Sequence, residues 1–168
     1  MEAITLHEIE RRVAELAARI GASGALLPTY GRSEDGARPH IEVDSRGFHY
    51  VIVERGEELQ RTTSRELDEI LWHVFEGVTS ALAWSYELAN REHGKDARRL
   101  AFAHQLVLLG ALSADWAERR RAQQRAILEQ NPFDDGAIAR LDFTAKLRDA
   151  GLSSEEAWRR ACARYPLP

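Results

Sequence analysis

Two hydrophobic periods meet at one point in this chain, and that junction limits the folds open to it. Between His40 and Thr62 the chain reads as short strands bounded by glycine turns; from Ser64 onward apolar residues recur every three or four positions, the period of a helix. In His40–Asp44, Ile41 and Val43 alternate with His40, Glu42 and Asp44. Asp44-Ser45-Arg46-Gly47 reads as a glycine-closed turn. Phe48–Glu54 carries Phe48, Tyr50 and Ile52 on one face and His49, Val51 and Val53 on the other, which suits a central strand. After the turn Glu54-Arg55-Gly56-Glu57, Glu58–Thr62 reads as a polar edge strand whose charges discourage unwanted pairing.

Before this meander, Leu6, Ile9, Val13, Leu16 and Ile20 predict a helix over Thr5–Ile20, opened by the capping box Thr5/Glu8. Residues 22–39 read as a long loop anchored at Leu26–Tyr30, a length often tied to function. Behind the meander, Thr63-Ser64-Arg65-Glu66 reads as a second capping box. The long central helix it opens runs to about Arg91, with Leu67, Leu71, Val74, Val78 and Leu82 as its main stripe. Gly77 in mid-helix costs roughly 1 kcal/mol against alanine and points to close packing there. Further helices are predicted over about Asp96–Leu112, Ala114–Gln130 and Asp135–Ala150, and after Ser153. The expectation is one α+β domain over residues 1–168. It has an N-terminal helix, a three-stranded antiparallel meander and a mostly helical C-terminal part.

Charge narrows the function classes. The chain has 168 residues with formal net charge −4, unlike the basic surface of a nucleic-acid binder. No run of 18 apolar residues spans a membrane and no secretion signal is visible. The single cysteine, Cys162, permits no internal disulfide, so a cytoplasmic setting is expected. Residues 1–94 hold 17 acids and 10 bases, whereas residues 95–168 hold 10 acids and 13 bases. The acids crowd into residues 54–76, where they could steer a basic partner.

Catalytic and metal patterns are sparse. Glu69, His73 and Glu76 could share a helical face, but no Glu-x-x-His pair, H-E-x-x-H or zinc spacing occurs, and a solvated polar edge explains them better. No nucleophile elbow or phosphate-binding glycine pattern is present. Glu42, Asp44, His49 and Glu54 lie on one hairpin and could line a cleft. The basic runs Arg98-Arg99 and Arg119–Arg121 are interspersed with acids, as on an ion-paired face. No metal or cofactor is expected.

The chain resembles the immunity protein 63 family of bacterial polymorphic toxin systems. The resemblance rests on Leu27-Pro28-Thr29-Tyr30-Gly31, on Ile41–Asp44 and Gly47–Gly56, and on Leu67, Val74-Phe75-Glu76 and Tyr86-Glu87-Leu88. It continues through Trp116–Arg120 and Pro132-Phe133-Asp134-Asp135. It implies a small cytoplasmic protein that neutralises a toxin domain by stoichiometric binding, without turnover. It names neither the toxin nor the binding residues. From the residues themselves, the expected docking surface is Glu54, Glu57, Glu58, Glu66 and Glu69, with Tyr30 and Trp72 as anchors. Two other readings stay open: a small enzyme using the hairpin carboxylates and His49, which needs a deep pocket joining Glu42, His49 and a third polar group, and a regulatory or scaffold module.

Overall fold

The computed structural model describes residues 4–168, so residues 1–3 of the predicted domain lie outside the description. Helix α1, Leu6–Arg19, opens on the expected capping box: Thr5 Oγ1 accepts from Glu8 N, and the Glu8 carboxylate accepts from Thr5 N. Strands follow at β1 Thr29–Tyr30, β2 His40–Asp44, β3 Gly47–Glu54 and β4 Glu57–Ser64. The helices α2 Leu67–Ala89, α3 Ala97–Leu112, α4 Ala114–Gln130, α5 Ala137–Asp149 and α6 Ser154–Arg164 complete the described chain. None of these helices is long and apolar enough to cross a membrane.

The sheet order is β1-β2-β3-β4. The meander β2-β3-β4 is antiparallel as expected, but the sheet has four strands rather than three, because β1 pairs parallel to β2. Thr29 N donates to the Pro39 carbonyl and Gly31 N to the Ile41 carbonyl, drawing the anchor of the long loop onto the sheet edge. A two-residue strand held by a partner ten residues away leaves no periodic trace in sequence.

The core lies between one sheet face and the helices. Ile41 and Tyr50, with Phe48 and Ile52 at its margin, meet Ile9 and Val13 of α1 and Ile70, Leu71, Val74, Phe75 and Val78 of α2. Helix α2 is therefore central, with β3 and β4 on one side and α3 on the other. Helix α4 seals its first half through Trp116, whose ring stacks on Phe75 and whose indole N–H donates to Asp68.

Two local expectations are corrected. Glu66, not Thr63, caps α2, and it does so without a side-chain bond. Strand β4 runs on to Ser64, and Ser64 Oγ accepts from Glu66 N, so the capping-box residues are spent in the ladder and its exit turn. Gly77 is not closely packed: a Cβ there would meet nothing within 4 Å.

Helices α5 and α6 pack chiefly on each other. They are joined to the body by a polar clasp. Asp96, the N-cap of α3, accepts from Arg98 and from Asp134 N, while Arg98 reaches the carbonyls of Asn131 and Pro132. Asp134 in turn holds Arg140, whose side chain is 1% exposed, and Trp158 lies over its guanidinium.

Candidate partner-binding surface

The acidic residues expected to form one surface divide into two groups. Glu54, Glu57 and Glu58 stand at the β3–β4 turn, whereas Glu66 and Glu69 stand beyond the other end of β4. At about 3.3 Å per residue, an eight-residue strand holds these groups roughly 23 Å apart. They are neighbours in sequence only.

Several of these carboxylates are already paired. Arg61 donates to both oxygens of Glu58 and, at 2.8 Å, to Glu42 on β2. Hydrogen bonds from Arg61 hold the carboxyls of Glu42 and Glu58 below the usual range, with His40 adding to the effect at Glu42. Glu69 receives a two-pronged grip from Arg119 at 2.6 and 2.9 Å, which lowers its pKa, and His73 lies 3.3 Å away. Glu76 faces Arg120 at 3.0 Å. Among the described residues Glu57 and Glu66 have no ion-pair partner, and Glu54 has only Arg55, at 3.9 Å. The ion-paired face expected for Arg119–Arg121 is made partly with α2, through Glu69 and Glu76, and Arg61 reaches Glu42 across the sheet.

Trp72 is not a surface anchor. It is 2% exposed and belongs to the core, with the Arg119 guanidinium 4.4 Å from its ring centroid.

Acids absent from the sequence prediction gather at the β3–β4 turn. The loop over residues 31–38 crosses the hairpin there: Gly36 bridges to Glu54, Ala37 N donates to Val53 O, and Gly56 N donates to Asp35 Oδ1. Asp35, Ala37 and Arg55 all take positive φ at this crossing, at 55°, 58° and 53°. The result places Glu34 and Asp35 on the same tip as Glu54, Glu57 and Glu58.

The sheet face opposite the core carries the hairpin carboxylates and both strand histidines. His40 and His49 are 3% and 0% exposed. His40 Nε2 meets Glu42 Oε1 at 2.9 Å, His49 Nδ1 meets Thr63 Oγ1 at 2.8 Å, and His49 Nε2 stands 2.9 Å from Asp44 Oδ1. Arg46, then His49, hold the Asp44 carboxyl well below its ordinary range. Val51, on the same face, is 0% exposed.

Tyr30 occupies a different place, a cleft of about 480 Å³ between α1 and β1. Burial, then the nearby Glu10 carboxylate, push its phenol up to about 12.

Residues 44–126 match the family model described as Immunity protein 63. The matched segment is just under half of the chain and takes in β3, β4, α2, α3 and most of α4. It supports the resemblance drawn from the sequence, although Leu27–Gly31 and Pro132–Asp135 fall outside it. No curated protein and no solved structure matches the chain.

Proposed function

With the immunity protein 63 match as premise, we propose that this chain neutralises a cognate bacterial toxin domain in the cytoplasm by stoichiometric binding. The family match carries this reading. The side-chain chemistry of the sheet is compatible with it. Glu42 is held by His40 and Arg61, Asp44 by Arg46, and His49 Nδ1 meets Thr63, so the hairpin offers a folded polar surface rather than a free acid–base pair. A general base needs a reachable nitrogen or oxygen, and His49 has no exposed surface.

For the docking surface we favour the hairpin tip, where Glu54 and Glu57 remain unsaturated beside Glu34 and Asp35. Such a tip would accelerate encounter with a basic toxin. Glu66 and Glu69 lie too far away to share that contact patch unless the interface runs along the whole of β4. An eight-residue strand is short enough for a standard-size interface to cover.

Co-expression tests the function. Cells carrying the toxin domain encoded beside this chain should survive only when the chain is present, and the two proteins should co-purify in a fixed ratio. Toxicity that persists beside well-expressed protein sinks the reading. Reversing Glu54, Glu57 and Glu58 to lysine should slow association at least tenfold and weaken its salt dependence. An unchanged association rate removes the tip as the steering surface.

A further inference from the structure

The free edge of the sheet at β1 carries chemistry that the fold does not use. Thr29 N and Gly31 N both point to β2, donating to the carbonyls of Pro39 and Ile41 at 3.0 and 2.8 Å. Alternation along a strand then turns the Tyr30 N–H and C=O the other way, out from the sheet edge. Neither group has a hydrogen-bond partner among the described residues.

Around this edge lies the cleft of about 480 Å³, walled by Glu10 and Ala14 of α1, by Leu27 and Pro28, and by Arg32 and Arg38. Arg38 is committed to the wall itself: its Nε donates to Leu27 O at 2.9 Å, one Nη to Gly24 O at 3.1 Å and the other to Glu34 at 3.1 Å. Arg32 is exposed and has no ion-pair partner among the described residues. The Tyr30 hydroxyl is also without a hydrogen-bond partner there. The free groups are mostly donors: one backbone N–H, one phenol O–H and one guanidinium. Glu10 and the Tyr30 carbonyl are the opposing acceptors, and Glu10 has only His7 beside it, at 3.8 Å.

A strand edge asks for an extended backbone, and a surplus of donors beside an unpaired guanidinium asks for a carboxylate. We infer that the α1–β1 cleft receives an extended, acid-bearing segment of the toxin, which adds a strand to β1 and places a carboxylate on Arg32. The identity of the partner rests on the immunity reading; the chemistry of the cleft does not. This contact is separate from the acidic tip, and the 31–38 loop joins the two, with Arg32 at one end and Asp35 and Ala37 at the other. A toxin held at both would have to present a basic surface to the tip and an acidic strand to the cleft, a two-point condition that favours a cognate partner over an unrelated basic protein.

The test uses the full chain and two capped peptides, acetyl-Val-Glu-Val-Asp-Val-amide and its lysine-for-acid counterpart. In amide-proton NMR titrations the acidic peptide should shift Tyr30, Gly31 and Arg32, and the lysine peptide should not. Arg32→Glu should weaken acidic-peptide binding at least tenfold, and Arg32→Lys should restore most of it; both changes lie on an exposed side chain outside the core. Equal response to both peptides, or shifts confined to the Arg119–Arg121 face, overturns the site. Concentration-dependent dimerisation that protects the Tyr30 amide from exchange without peptide overturns it too, by giving the edge to a second copy. The toxin domain should displace the acidic peptide. Neutralisation without displacement overturns the cleft and leaves the immunity reading standing. A toxin that is neither bound nor neutralised removes the immunity reading and this occupant together, even where the peptide binds.

Discussion

Arg61 on β4 reaches across the central strand and places its Nη1 2.8 Å from Glu42 Oε2 on β2. The same guanidinium holds Glu58, and Glu42 in turn rests on His40 Nε2. One side chain thereby ties the edge strand to the far side of β3. Arg61→Met keeps much of the stem but strands two carboxylates. Both are partly exposed, so solvent recovers much of the loss, and the expected cost in stability is small. Glu42 and Glu58 have folded pKa values below their unfolded ones, so their contribution is present at neutral pH and is lost as pH falls below about 4. Denaturant melts between pH 3 and 7 should therefore show a shallower acid slope in Arg61→Met than in the parent.

Asp96 provides a stronger pH signature. Hydrogen bonds from Arg98, followed by the backbone of Asp134 and Arg98, bring its pKa down to about 2 from 3.8. Its side chain is 10% exposed. The stabilisation, about 2 kcal/mol, is complete above pH 4 and disappears as pH falls through 2. Asp96→Asn retains the N-cap but not the ion pair. It should lose about that amount at pH 7 and match the parent near pH 2, as read by chemical denaturation.

Two glycines should respond in opposite directions. Gly47 has φ +135°, and a Cβ there would collide with the Ser64 carbonyl across the hairpin. Gly47→Ala should cost 2 kcal/mol or more, roughly, because both backbone and neighbour must move. Gly77 sits in α2 with open space around it, so Gly77→Ala should gain close to 1 kcal/mol through helix propensity. Thermal melts should separate the pair by several degrees on either side of the parent.

The Asp134–Arg140 pair fastens α5 and α6. Breaking a buried pair by removing one partner typically costs about 3–5 kcal/mol. Arg140→Met should spend that locally: hydrogen exchange and trypsin cleavage should rise across residues 131–164, while the amides of β2, β3 and α2 keep their protection.

What could be read from the residues in order was whatever depends on near neighbours. The Thr5/Glu8 box, the Ala114–Gln130 helix and the helix after Ser153 all arise within one or two turns of backbone, and each stands where expected. The β1 pairing depends on Pro39 and Ile41 returning beside Thr29 and Gly31, a contact decided by the whole sheet. The acidic residues fall into two groups for a related reason. Residues 54–69 look like one patch on paper, but an extended strand separates its ends. The Arg61–Glu42 and Arg119–Glu69 pairs reach across the sheet and between helices, which neighbouring residues do not reveal. Trp72 was ambiguous because an aromatic side chain on an all-round apolar helix suits a core and an interface equally well.

The clasp between α3 and α5 has an evolutionary consequence. The contacts that tie the segment before α5 to the body gather where Asp96 and Arg98, inside the matched segment, meet residues 131–135 beyond its end, with Phe133 packed beside Phe102. A helix pair that packs chiefly on itself and is tethered in this way can vary without disturbing the core. Lineages could trim, lengthen or recombine it while the sheet, its loop and its two edges stay unaltered. Diversity in size among related chains should then accumulate at this hinge, and diversity in partner choice on the sheet and its loop.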